Sequence, residues 1–325
     1  MSNFTIINYQ AGHAKAWNTF VSQSKNGTFL FHRDFMEYHS DRFTDCSLMV
    51  YDGQKLVALL PANRVDDTVF SHQGLTYGGL LFNNKIKLAA ALQVFKSVLA
   101  YLHGVGVTTL HIKSIPAIYH KQPAQEIDYA LFLTNATLTR RDAIAVIDNS
   151  AALKVAANRM EGVKKGMANG FTVQQSDDFA GFWNQVLEPN LQSRHGIKPV
   201  HSANEITRLA GLFPNNVKLF TVLQDNRIAA GTVIFESDTL AHAQYIAAGE
   251  DKGENGSLDF LYHHIVTQQY ADKKYFDFGN SNEQQGKKLN TGLAFWKESF
   301  GARTMFQDFY DVQTVNHTLL DNVFI

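Results

Sequence analysis

The chain has one cysteine, Cys46, in 325 residues, so no intramolecular disulfide can form and the small cystine-stapled folds of secreted proteins are excluded. It has almost no net charge, formally -1 at pH 7, and offers no global attraction to nucleic-acid backbones or acidic membranes; a local basic face remains open. No stretch reaches the ~18 apolar residues of a membrane-spanning helix. The N-terminal MSNFTIINYQAGH lacks the basic start, apolar run and small-residue cleavage site of a secretion signal, so a cytoplasmic location is expected. The 13 histidines include no HExxH or cysteine-histidine arrangement, and His263-His264 would point to different sides of a helix, so no metal site is expected. Also missing are a GxSxG elbow, a GxxxxGK(S/T) loop and a GxGxxG after a strand, which removes the signatures of α/β-hydrolases, P-loop enzymes and dinucleotide-binding folds.

What is present is a chain able to fill a core, with 45% hydrophobic and 18% charged residues. Its length exceeds the roughly 250 to 300 residues at which one core stops growing, so two domains are expected. In the second half VKLFTVLQ (217–224) and RIAAGTVIFES (227–237) flank Asp225-Asn226, which predicts a hairpin. Then Leu240, His242, Gln244 and Ile246 alternate with Ala241, Ala243, Tyr245 and Ala247, which predicts a third strand. The loop DKGENGS leads to a helix carrying Leu258, Leu261, Tyr262 and Ile265, and then to the strand KYFDFG. The order is β-β-β-loop-α-β.

The first half repeats it. SLMVY and KLVALLPANRV flank the turn Asp52-Gly53, TVFSHQ supplies a third strand, and QGLTYGGLLF carries Gly78-Gly79 in a loop. A helix follows with Leu88, Leu92, Phe95, Leu99 and Leu102 on one face and Gly104 as its C-cap, before the strand VTTLHIK. This is the pattern that duplication of one domain leaves. Helical segments precede both copies. The strand-like AIAVID ends the first half, and Asn149-Ser150 suits the cap of the next helix, so the boundary is set near residue 150. The expectation is an N-terminal domain 1–150 and a C-terminal domain 151–325, with the last strand-like run, 304–315, able to join either sheet.

The order β-β-β-loop-α-β, with a glycine loop before the helix, resembles the core of the Gcn5-related N-acetyltransferase superfamily. FDFGNSNEQQGKKLNTGLAFWKESFGAR (276–303) is more specific: it resembles the C-terminal signature of Fem-type and related tandem acetyltransferase-like proteins, through Gly279, Asn290, Gly292, Trp296-Lys297 and Gly301-Ala302. NRMEGVKKGMANGFTV resembles their basic helix entering the second domain, and QSRHGIKPVHSANEITRLAGLFPNNVKLF their substrate-side loop and following helix. The resemblance implies an α/β fold of two tandem acetyltransferase-like domains with mixed sheets. It also implies transfer of an acyl or aminoacyl group to an amine of a small-molecule or cell-envelope-precursor acceptor. The long coiled-coil insertion of some Fem-type transferases is missing, since no heptad run interrupts the second half.

On this resemblance Lys252, Gly253, Gly256 and Ser257 fall where the superfamily cradles the pyrophosphate of coenzyme A; the plainer reading is a solvent-exposed loop with Ser257 as an N-cap. Asp277, at the carboxyl end of a strand, is a candidate proton acceptor or else a structural hydrogen-bond acceptor. Tyr245 is a candidate donor to the leaving group or a satisfied core tyrosine. Arg194 and His195, read as lying on a loop with Lys198, suit an anionic acceptor, as do Asn280, Asn282, Asn290 and Lys297, with Arg33 from the first half. Arg33 also reads as a surface residue starting a helix. Acyl-coenzyme A is the expected donor over aminoacyl-tRNA, because the only basic stripe is Arg159, Lys164 and Lys165. The competing class is a binding or scaffold protein that keeps the fold without the chemistry.

Overall fold

The computed structural model describes residues 4–225, 227–250 and 252–325, the side chains of Arg194 and His195 excepted. Two compact units result: Met1–Asp142 with Phe306–Ile325, and Ala143–Met305. The chain passes from the first to the second inside the strand Thr137–Asp148 and returns inside the strand Arg303–Gln313, so extended backbone makes both crossings in place of a linker.

In the first unit Phe4–Asn8, Leu48–Asp52, Lys55–Leu60 and Leu81–Phe82 form an antiparallel sheet in that order. Gly53 supplies the left-handed residue, φ +57°, that the tight turn before Lys55 requires. Asn63–Val65 pairs antiparallel with Thr68–Phe70, which runs parallel to Thr109–Lys113. The other edge of Thr109–Lys113 is taken by Phe309–Gln313, so the last strand-like run serves this unit. Helix Leu88–Gly104 buries Leu92, Phe95, Leu99 and Leu102 as their spacing predicts, each worth roughly 1.5–3 kcal/mol, whereas Leu88 faces solvent. Gly104 remains within the helix, and the left-handed residue that ends it is Gly106 at φ +75°.

In the second unit Thr172–Ser176, Val217–Gln224, Arg227–Glu236 and Leu240–Ala248 lie antiparallel in that spatial order. Tyr275–Asn280 then pairs parallel with Leu240–Ala248, and its other edge is covered antiparallel by 144–148. Ala241, Ala243, Phe276 and Phe278 enter a core with Leu258, Leu261 and Tyr262 of helix Ser257–His264 and with Ile265 of the π turn Ile265–Gln269. Helix Ala157–Ala168 lies close on that helix because two glycines permit it. A β-carbon on Gly162 would overlap the Asp259 carboxylate, and one on Gly166 would stand 2.6 Å from the Phe260 β-carbon.

Two local expectations are corrected. Asn149 and Ser150 cap no helix: Asn149 Nδ2 donates to the carbonyls of Tyr270 (3.1 Å) and Lys273 (2.7 Å), Ser150 bonds Asp148, and the next helix has Ala156 as its N-cap. Arg194 and His195 are not on a loop but in the last turn of helix Glu188–His195, which Gly196 ends in the left-handed conformation; Lys198 beyond it is exposed.

Candidate functional site

The parallel pairing in the second unit is short. Its register runs from Leu240↔Tyr275 to His242↔Asp277; the first strand then continues to Ala248 with no further registered partner on that edge among the described residues. The two strands fork at His242 and Asp277. Register sets these side chains next to each other, on the face opposite to the one through which Phe276 and Phe278 reach the core. Asp277 is 1% exposed, its Oδ1 accepts from the Gly279 N–H at 2.7 Å, and its Oδ2 accepts from His242 Nδ1 at 2.9 Å. A carboxylate only accepts, so Nδ1 carries the proton and Nε2 is the basic nitrogen of His242. The imidazole, 12% exposed, is the member of the pair that reaches the surface. Gly279, at φ +73°, passes so near that a β-carbon there would stand 3.3 Å from His242 Cε1.

Lys297 completes the cluster. Asn290 caps helix Thr291–Glu298 by accepting from Leu293 N–H at 3.0 Å, and the helix turns Lys297 inward. Its Nζ donates to the carbonyls of Gly279, at 3.0 Å, and Asn280. Burial draws its pKa down to about 8, and the negative charge of Asp277 partly opposes this. Asp277, His242, Gly279 and Lys297 are thus brought together at the fork, and the Asn280 side chain stands exposed beside them. Asn282 and Asn290 are engaged structurally instead. Asn282 Oδ1 accepts from Ala143 N–H at 2.7 Å, and Asn290 Nδ2 donates to Glu283 at 3.1 Å while its Oδ1 holds the cap.

His242 was legible only as one residue of an alternation, and that alternation assigns Tyr245 to the wrong face. The register shifts from Ile234↔Ala243 to Val233↔Tyr245, so Gln244 is an extra, bulged residue and Tyr245 returns to the His242 face. Tyr245 is buried against the edge of Trp183; its hydroxyl accepts from His201 N–H at 3.1 Å and donates to His201 Nδ1 at 2.6 Å. Burial pushes its pKa up to about 12. With its only proton engaged, it is a core tyrosine in place of the expected donor to a leaving group.

The loop expected to cradle a diphosphate does not fit one. Lys252–Asn255 makes a single helical turn, and Gly256 (φ +72°) and Ser257 are buried beneath helix Ala157–Ala168, so that a β-carbon on Gly256 would overlap the Gly162 carbonyl oxygen. Asn255 Oδ1 takes the Ser257 N–H at 2.8 Å. Ser257 Oγ and Asn255 Nδ2 have no hydrogen-bond partner but lie beneath the same cover. The anion in the first turn of this helix is the chain's own Asp259, which accepts from Arg159 Nη1 at 2.9 Å and Trp296 Nε1 at 3.1 Å. Of the expected set only Lys252 and Gly253 stay toward solvent, and Lys165 Nζ donates to the Gly253 carbonyl at 3.3 Å.

Arg33 is no acceptor-facing cation. It is 4% exposed, its guanidinium lies 3.7 Å from the centre of the Tyr9 ring, and it pairs with Glu37 at 2.9 Å and with Asp45. A cation is buried only when paired, and here the pairing consumes its donors. The side chains of Arg194 and His195 lie outside the described residues.

The first unit has the same fork, closed. Its parallel register also ends after three pairs, at Phe70↔His111. Beyond it Ser71 N–H donates to His111 O at 2.8 Å, Ser71 Oγ accepts from Lys113 N–H at 2.9 Å, and Gly78 N–H donates to Lys113 O at 2.6 Å. Among the described residues no group of three histidine, cysteine or carboxylate side chains could hold a metal ion, and no helix is long and apolar enough to cross a membrane.

No protein-family model matches the sequence, and no curated protein does. Solved structures do match. FemX superposes with a TM-score of 0.66 at 11% identity over 98% of this chain and 99% of that one. A tandem GNAT protein from the clavulanic acid biosynthesis pathway gives 0.53 at 9% identity over 96% and 99%. L-PGS from Bacillus licheniformis gives 0.56 at 10% identity over 96% of both chains. The chain therefore has the tandem acetyltransferase-like, Fem-type fold that its C-terminal signature implies.

Proposed function

We propose that the chain is an N-acyltransferase whose reacting centre is the fork in the second unit. The observation that carries this reading is the His242–Asp277 pair at the point where the two parallel strands part, where peptide edges leave the ladder beside a positioned base. An acceptor amine gives its ammonium proton to His242 Nε2, Asp277 holding the Nδ1 proton, and then attacks the carbonyl carbon of an activated acyl ester or thioester. Peptide N–H groups at the fork stabilise the oxyanion. When the tetrahedral intermediate collapses, the C–O or C–S bond breaks and the imidazolium returns the proton to the leaving oxygen or sulfur. Lys297, bonded to two carbonyls, keeps the strand end and Gly279 in place.

The acceptor in this reading is an amine on a small molecule or a cell-envelope precursor, acylated in the cytoplasm. The covered helix terminus at Gly256 and Ser257 argues against a donor that must seat a diphosphate there, as acyl-coenzyme A would, and leaves aminoacyl-tRNA as the alternative donor. The same covered terminus favours the second reading, a binding protein that keeps the fold.

The test is transfer to an amine from acetyl- and palmitoyl-coenzyme A in one arm and from aminoacyl-tRNA in the other, with His242→Gln beside the wild type. Turnover should fall by roughly 10²–10⁴ in His242→Gln, the scale of general-base catalysis, with KM nearly unchanged. Equal turnover in the variant removes His242 from the mechanism, and no transfer in either arm favours the binding protein.

A further inference from the structure

We propose that the first unit carries a separate binding site for an anionic amphiphile, in the cavity between helix Ala14–Gln23, the start of strand Lys55–Leu60 and the loop 83–85. The cavity measures about 920 Å3, within the size of small-molecule sites. Its floor is apolar, formed by Phe20, Leu56 and Ala16, and its rim carries Lys15, Lys55 and Lys85.

The three lysines are exposed, and among the described residues none has an ion-pair partner; no aspartate or glutamate lines the cavity. Asp52 faces Lys55 across the hairpin without forming an ion pair with it. The imbalance extends into the sequence, since residues 10–33, 53–65 and 68–125 contain no acid at all in a chain whose net charge is -1. Cations around a low-dielectric concavity focus a positive potential into it. The loop that carries Lys85 is held in place: Asn83 Oδ1 accepts from Lys85 N–H at 2.9 Å, and Gln122 Nε2 donates to Asn84 O at 3.1 Å.

The chemistry that matches is a phosphate or carboxylate at the rim joined to an apolar body on the floor. An inorganic anion would leave Phe20 and Leu56 in water, and a neutral apolar molecule would leave three ammonium groups without a counter-ion. The ligand can come as a free molecule or as a lipid, and this site takes it one molecule at a time.

The probe is decyl phosphate below its micelle concentration, titrated calorimetrically into the full chain, with decanol and inorganic phosphate as controls. Two variants separate charge from volume: Lys15→Ala/Lys55→Ala/Lys85→Ala, and Ala16→Trp, which fills the cavity with the lysines intact. The expected result is saturable 1:1 binding of decyl phosphate, weakened at least tenfold in each variant and weakened by salt, with both controls at least tenfold poorer. A variant that binds as tightly as the wild type overturns the proposal, as does adsorption to phosphatidylglycerol vesicles with no binding of the monomeric probe. If the triple variant misfolds by circular dichroism, the Ala16→Trp result decides.

Discussion

Replacing Asp277 by asparagine keeps the size of the side chain and removes its charge, and the structure sets the cost. The amide oxygen can still accept from Gly279 N–H, but as a neutral acceptor, a loss of ~1 kcal/mol. The second cost comes through Lys297, whose buried ammonium loses its counter-charge. That cost has a ceiling, because a lysine can shed its proton: with a pKa of about 8 in the folded state, the further penalty at pH 7 is limited to about one unit, or ~1.4 kcal/mol. The variant should therefore lose ~2–3 kcal/mol at pH 7.

The pH dependence separates the two parts. The Lys297 pKa is lowered on folding, so its burial penalty is full below about pH 8 and is relieved as pH rises toward the unfolded value of 10.5, where the unfolded chain keeps a proton that the folded one has lost. At pH 9 the folded lysine is largely neutral in wild type and variant alike. Lys113, also drawn down to about 8 by burial, titrates equally in both proteins and cancels. Urea unfolding at pH 7 and pH 9 should show the gap between the two proteins narrowing by about 1 kcal/mol. A gap of constant size refutes the coupling of Asp277 to Lys297. Complete unfolding of the variant at both pH values would make Asp277 a structural residue before anything else.

Two further substitutions test the packing around the site. Gly162→Ala should destabilise the chain by ~1–3 kcal/mol in thermal melts, because its methyl group overlaps the Asp259 carboxylate and forces helix Ala157–Ala168 off helix Ser257–His264; an unchanged melting temperature would mean that the helices are not in contact there. Arg33→Ala should cost ~2–3 kcal/mol in urea unfolding, through lost stacking on Tyr9 and stranded Asp45, and leave the KM for the acceptor amine unchanged; a raised KM with intact stability would return Arg33 to the acceptor site.

The fold was legible where side-chain periodicity decides it. Leu92, Phe95, Leu99 and Leu102 mark their helix, and the runs 217–224 and 227–237 mark their hairpin, because burial of one face fixes both. Strand alternation failed at Gln244 for a definite reason: a bulge costs one residue of register and leaves no mark in the sequence of the bulged strand, so Tyr245 was assigned to the wrong face. The His242–Asp277 pair was hidden for a related reason, since parallel register depends on how the intervening helix returns the chain. Pairing LAHAQ with YFDFG would have revealed it. Asn282, Asn290 and Arg33 have the residue types of a binding site, and nothing local in the sequence shows that their donors and acceptors are consumed by backbone groups and carboxylates of the same unit.

The two forks show how one duplicated pattern ends with chemistry assigned to one copy. Both parallel ladders are three pairs long, so the strands part at equivalent points in each unit. In the first unit the third strand stops at Phe70, and the chain turns at once into the opening, where Ser71 and Gly78 bond the edge of the facing strand. Gly78 has to be a glycine there, since a β-carbon would overlap the Ser71 carbonyl oxygen. In the second unit the corresponding strand runs on to Ala248, and the chain turns back well beyond the opening. The closed fork has its peptide groups satisfied within the chain and has none to offer a reacting carbonyl. The other keeps a histidine and a carboxylate at its base and a lysine behind its end, and only there does the duplicated scaffold retain polar groups that substrate could use.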